Sequence, residues 1–133
     1  MAASIVGHRT LTVEENVADL QRMLDILRTH NPEIQLIVTL SPIGLHATFR
    51  GHTDHVISAN CHSKAVLRVA AEEFVKRNSG VHYFPSYEMV NYCTQNPYNP
   101  DQRNVRRETV GNVMKLFSAM YSVDDRPDAF AQH

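Results

Sequence analysis

Between residues 43 and 62 the chain gathers His46, His52, His55 and His62 with Asp54 and Cys61. Imidazole, carboxylate and thiol together are the donor set of a zinc or other borderline-metal site. His52-x-x-His55 is followed only by Cys61-His62, without a second well-spaced pair, so the spacing favours solvated or hydrogen-bonded histidines, and no metal or other cofactor is expected. Ser63-Lys64 sets a hydroxyl beside an amine that could act as its base if desolvated. The simpler reading makes Ser63 a helix N-cap and Lys64 an exposed first-turn residue. Arg68, one turn on, can pair with Glu72 or face an anionic ligand. In Phe84-Pro85-Ser86-Tyr87-Glu88 a chain leaving a strand meets Ser86, a second N-cap candidate. Tyr87 and Glu88 then fall at the carboxyl edge of a sheet, where open α/β folds bind ligands, and both readings of this corner stand. Arg103, Arg106 and Arg107 form the basic cluster, either a solvated face or a receiver for a partner's phosphate or carboxylate. No nucleophile motif is recognisable.

The elements that must position these groups can be read from periodicity. Thr12-Val13-Glu14-Glu15 is a capping box. Val17, Leu20, Leu24 and Leu27, widened by Met23 and Ile26, predict a helix packing one face until Asn31-Pro32 stops it. Ile34 to Leu40 is short, β-branched and nearly all apolar, the pattern of a parallel strand covered on both faces, ended by Ser41-Pro42. Ile43 to Asn60 has no clean period and reads as a long loop after the strand's carboxyl end. A second helix is expected from Ser63 to about Asn78, with Val66, Val69, Ala70, Phe74 and Leu67 inward. Val81 to Phe84 is a short strand closed by Pro85, completing a βαβ unit whose crossover should be right-handed. A short helix through Val90 and Tyr92 follows. The last helix starts near Arg107 or Glu108, with Val110, Val113, Met114, Phe117 and Tyr121 on one side.

The order is therefore αβαβα, an α/β domain with a short parallel sheet. Two strands leave edges unpaired, so the sheet is expected to be completed by another chain, by a second copy, or by strands within residues 1–10.

Composition bounds the rest. The length of 133 residues and 43% hydrophobic content fit one globular domain. Residues 1–10 read as an N-terminal extension and 122–133 as a polar, disordered tail. Thirteen Lys and Arg against fourteen Asp and Glu leave a formal charge of -1, so no global field directs the chain to nucleic acid or to an anionic membrane. No apolar run approaches the roughly 20 residues that span a bilayer, and the first ten residues lack a secretory signal, which predicts a cytoplasmic protein. Cys61 and Cys93, far apart and without CxxC spacing, read as buried thiols rather than a disulfide. Met23, Met89, Met114 and Met120 read as core filler.

Three strings carry a resemblance: Thr39-Leu40-Ser41-Pro42-Ile43, Asn60 to Arg68 (NCHSKAVLR), and Tyr83-Phe84-Pro85-Ser86-Tyr87-Glu88. With Leu11 to Glu15 before them, and Asp101-Gln102-Arg103 and Val113 to Phe117 after, they make the chain similar to the GSCFA domain family over roughly residues 10–121. That family is related to the SGNH/GDSL esterases. The resemblance implies a flavodoxin-like three-layer hydrolase fold, with acyl-ester hydrolysis or acyl transfer as family chemistry and an acyl-ester small molecule or glycan as ligand. It also implies that residues 11–121 correspond to the later part of such a domain.

The Gly-Ser-Cys-Phe-Ala string that names the family is absent, and with it the serine expected at the first strand's exit. SGNH enzymes carry a late Asp-x-x-His in which His activates the Ser and Asp orients the His. Here the matching stretch is Asp101-Gln102-Arg103-Asn104, and an amide cannot accept a proton near neutral pH. Within the resemblance Asp101 is the candidate triad acid, and Ser41, His46, Ser63, Tyr87 and Glu88 are candidates to wall a substrate crevice. The expected activity is that of an incomplete esterase or acyltransferase segment. The alternative is a non-catalytic subunit that pairs its sheet edge or apolar face with a partner.

Overall fold

The computed structural model describes residues 9–48 and 53–122. The N-terminal extension apart from Arg9 and Thr10, the tail apart from Ser122, and His52 lie outside them. Helix α1 spans Val13–His30, strand β1 Leu36–Thr39, helix α2 Val56–Arg77, strand β2 Val81–Phe84, helix α3 Ser86–Tyr92 and helix α4 Arg107–Tyr121. The expected αβαβα order holds, with α3 as the short helix between β2 and the last long one.

The capping box at Thr12 forms as its sequence dictates. Glu15 N–H donates to Thr12 Oγ1 at 3.2 Å, and Thr12 N–H donates back to Glu15 Oε2 at 2.9 Å. Arg9 adds two 2.7 Å bonds to the same carboxylate. Val17 and Leu24 are buried on α1, while Met23 and Ile26, expected to widen the packing stripe, are exposed.

The strands pair in parallel, Leu36 opposite Val81 through Thr39 opposite Phe84. Only these four residues of the expected Ile34–Leu40 run pair, because β2 offers four partners. Side chains alternate across the sheet. Leu36, Val38 and Val81 face α1 and α2, where Leu24 and Phe74 are fully buried. Phe84 points the other way, with its ring edge-on to Phe117 of α4 at 5.1 Å. Helices thus cover both faces, but residues 36–38 of β1 are half-buried and Thr39 is exposed. The two-stranded sheet leaves one open edge on each strand among the described residues.

Helix α2 starts seven residues before the expected Ser63. His55 is the N-cap, its Nδ1 accepting from Ile57 N–H at 3.2 Å. The inward stripe is Val56, Ala59, Ser63, Val66, Ala70 and Phe74, at spacings of three and four. Small Ala59 and polar Ser63 hid that period among the histidines. Ser63 is therefore a half-buried mid-helix residue, and Leu67 and Val69, expected inward, are exposed at 39% and 50%.

Ser86 does not cap α3. Pro85 holds the N-cap position, and the Ser86 hydroxyl turns back to the sheet. On α4, Thr109 is buried and Val113, Phe117 and Tyr121 are half-buried. Val110 and Met114, expected inward, share the face of α4 that carries Phe117 and Tyr121 but are exposed, because their end of that face borders an open groove beside Pro42, Ile43 and Val90 whereas Phe117 and Tyr121 pack on Phe84. Cys61 and Cys93 are free thiols as expected, but exposed rather than buried. No helix among the described residues is long and apolar enough to cross a membrane.

Candidate functional site

Both parallel strands end at the same edge, and the segments leaving them build a cleft of about 490 Å³. Its walls come from the loop after β1 (Gly44, Leu45 and His46), the first turns of α2 (Ile57 and Asn60), α3 (Tyr87 and Asn91) and the segment before α4 (Tyr98, Asp101, Gln102 and Arg103).

Three tethers fix these walls. Leu45 N–H donates to Asn60 Oδ1 at 3.0 Å, joining the β1 loop to α2. Arg103 Nε donates to the Gly44 carbonyl at 3.0 Å, joining the late segment to the same loop. The Tyr98 hydroxyl sits 2.8 Å from Asn91 Oδ1 and 3.2 Å from the Pro42 carbonyl, locking α3 to both. Burial pushes the phenols of Tyr87 and Tyr98 above their ordinary values, so both remain neutral donors over the physiological range.

Asp101 lies in the cleft wall, but its carboxylate closes its own turn. Oδ1 accepts from Arg103 N–H at 3.0 Å and Asn104 N–H at 2.9 Å, and Oδ2 accepts from the Asn104 side chain. The Asn104 and Arg103 amides, followed by the Asn104 side chain, hold the Asp101 carboxyl below its usual range. Around this turn Asn99 N–H donates to the Asn104 carbonyl at 2.8 Å, Tyr98 bridges Val105, and Gln102 adopts φ 53°. The Asp-x-x-Asn stretch is a loop staple, and Asn104 lines a groove on the α4 side rather than the cleft.

Of the sequence-derived candidates, His46, Tyr87 and Asp101 share the cleft. Ser41 flanks the α4-side groove with Ser86 and Val90. Its Oγ accepts from Ile43 N–H at 3.3 Å, and its carbonyl accepts from Lys64 Nζ at 2.7 Å. Lys64 is therefore a half-buried tether, its pKa lowered by burial, rather than the exposed first-turn residue expected. Glu88 faces α2 and β2 instead of the cleft, accepting from Arg68 Nε at 2.8 Å while Tyr83 Oη lies 2.9 Å from its Oε2. Arg68 pairs with Glu72 as well, at 2.9 Å.

The histidines diverge: His55 caps α2, His62 is exposed along it, and His46 stands across the β1 loop. Among the described residues no three His, Cys, Asp or Glu side chains converge as metal ligands.

Sequence reading missed Asn60, Asn91 and Tyr98, the residues that hold the walls together. Asn60 does open the string Asn60 to Arg68, but amides and phenols have no diagnostic spacing, and their roles depend on loops meeting in space. Arg103 was visible only as part of a basic cluster. In the structure it separates from Arg106, whose Nε donates to the Tyr98 carbonyl at 2.8 Å.

The chain belongs to the GSCFA family, which it matches over residues 5–117. Among curated proteins and solved structures there is no significant match.

Proposed function

We propose that this chain supplies the substrate-binding wall of an SGNH-type acyl esterase or acyltransferase site and lacks the nucleophile of that reaction. Family membership motivates the chemistry, and the position of the cleft beyond the carboxyl ends of parallel strands is where α/β folds bind ligands. One observation carries the reading: none of the described residues lining the cleft is Ser, Thr or Cys. Acyl transfer of this type needs an activated oxygen or sulfur and a base within hydrogen-bond reach. Asp101 has no histidine to orient, since the side chain three residues on is the Asn104 amide bonded to it. The attacking serine would come from outside the described residues, while the cleft holds the acyl-ester or glycan portion.

The test is fluorophosphonate labelling of the purified chain, followed by intact mass and peptide mapping. No labelling, beside a control hydrolase that labels fully, is the expected result. Stoichiometric modification of one serine in this chain would overturn the reading and locate the nucleophile.

A second reading, a non-catalytic interaction subunit, is favoured by strand edges left unpaired among the described residues and by exposed Val110, Met114 and Met120 on α4. Sedimentation velocity distinguishes it. Concentration-dependent assembly, or a complex with another chain that protects β1 or β2 amides from exchange, supports it; a monomer whose strand edges stay unprotected in every mixture opposes it.

A further inference from the structure

We propose that the cleft binds the anionic end of its ligand, a carboxylate or a phosphate, on the Arg103 guanidinium and the Asn60 side-chain amide. The donor and acceptor inventory of the wall leads there. Its fixed acceptors already take hydrogen bonds: Gly44 O from Arg103 Nε, Asn60 Oδ1 from Leu45 N–H, Asn91 Oδ1 from the Tyr98 hydroxyl, and both Asp101 oxygens from the following turn. The donors are not similarly matched. Nε anchors Arg103 to the loop, leaving its two terminal nitrogens without a protein acceptor among the described residues, and the Asn60 Nδ2 is in the same position.

Open donors on Arg103 and Asn60, beside acceptors on Gly44, Asn60, Asn91 and Asp101 that are already engaged, fit an acceptor-rich group. A guanidinium held by one nitrogen is also oriented to present its remaining edge to a carboxylate or phosphate. Asp101 remains an ionised neighbour in this wall, its oxygens turned to the Arg103 and Asn104 amides and the Asn104 side chain. Half-burial of Arg103 and Asn60 strengthens such bonds relative to an exposed pair. This assignment rests on the reading of the cleft as a substrate wall and adds the charge class of what it holds.

The test is an NMR titration of the ¹⁵N-labelled full chain with inorganic phosphate and, separately, with acetate, at constant ionic strength. Saturable shifts of the Asn60 side-chain amide, Arg103 Nε–H and the Leu45 and Gln102 amides are expected with at least one probe, and the probe that saturates names the anion class. Arg103→Gln and Asn60→Asp should each weaken binding about tenfold or more. Asn60→Asp retains the oxygen that accepts from Leu45 N–H, so its loss of binding cannot be assigned to an untethered loop. No saturable response to either probe, unchanged affinity in both variants, or shifts centred on Arg106 and Arg107 would overturn the assignment. The titration needs no nucleophile, so a labelled serine in the fluorophosphonate experiment would refute the functional reading and leave this result standing, and the reverse also holds.

Discussion

The guanidinium of Arg68 lies 4.2 Å above the ring centroid of Tyr83. The same arginine donates to Glu88 and Glu72, and the Tyr83 hydroxyl reaches Glu88 as well. One planar cation thereby joins α2, β2 and α3 behind the cleft. Arg68→Lys keeps the charge but cannot stack and bridge two carboxylates in one plane. Arg68→Ala should lower stability by about 1–2 kcal/mol, and Arg68→Lys should recover less than half of that, as read from urea midpoints at neutral pH. Equal stability of lysine variant and wild type would show that charge alone matters.

Alkaline titration reports on the same cluster. Burial first, then the hydrogen bond and charge of Glu88, pushes Tyr83 up from 10.0 to about 12. Its proton is held more tightly folded than unfolded, so the stabilisation is complete below the unfolded value. It is lost as pH rises from about 10 to about 12. Tyr83→Phe, which cannot ionise, should show a shallower fall of urea midpoint across that window; an identical slope would place the alkaline sensitivity elsewhere.

The Asp101 staple predicts the opposite sign. Its folded pKa is lowered, so its contribution is present above the ordinary carboxylate value and disappears as pH falls through the folded one. Asp101→Ala removes the acceptors of the Arg103 and Asn104 amides and of the Asn104 side chain. Amide exchange of Arg103 and Asn104 should accelerate at neutral pH in this variant, whereas in the wild type it should do so only on acidification beyond the intrinsic pH effect. Unchanged exchange would mean that the turn is held by its backbone bonds, the Tyr98–Val105 bridge and Gln102 N–H to the Asn99 carbonyl, without the Asp101 side chain.

Much of this fold is legible in the sequence because local signals agree with it. The Thr12 capping box, the β2 boundaries and the Arg107 start of α4 need no tertiary information. The failures share a cause. The first turns of α2 escape because Ala59 and Ser63 do not register as a stripe until Phe74 and the sheet define which side is inside. Val110 and Met114 lie on the side of α4 that the periodicity marks, but only the Phe117 and Tyr121 end of that side is covered, and no periodicity says where the cover stops. At the site, Tyr87 and His46 could be placed from strand ends. The partnerships of Asn60 with Leu45 and of Arg103 with Gly44 join residues 15 and 59 positions apart, and no periodicity encodes them.

Gly80 adopts φ +73°, and its carbonyl accepts from Leu36 N–H at 2.9 Å to open the parallel ladder. A Cβ there would lie 3.1 Å from the Gln35 side-chain nitrogen. The flexible Gln35 can move, but the backbone angle still penalises an L-residue. Gly80→Ala should cost about 1 kcal/mol by urea denaturation. Gly80→Ala with Gln35→Ala should recover little of it if the dihedral dominates, and most of it if crowding does.

The carboxyl ends of the strands are tied by two hydroxyls. Thr39 Oγ1 donates to the Phe84 carbonyl at 2.7 Å, and Ser86 Oγ lies 2.7 Å from Thr39 Oγ1 and 3.0 Å from the Leu40 carbonyl. Each hydroxyl has one proton, so Ser86 divides its donation between Thr39 and Leu40 while Thr39 is committed to Phe84. Removing Thr39 therefore leaves Ser86 a full bond to Leu40, whereas removing Ser86 leaves Thr39 with its own bond intact. Thr39→Val and Ser86→Ala should each cost about 1 kcal/mol. The double variant should cost less than their sum by a few tenths of that, because the shared contact is counted in both single changes. The measurement is a double-mutant cycle in urea, and strict additivity would show that the two hydroxyls hold the strands independently.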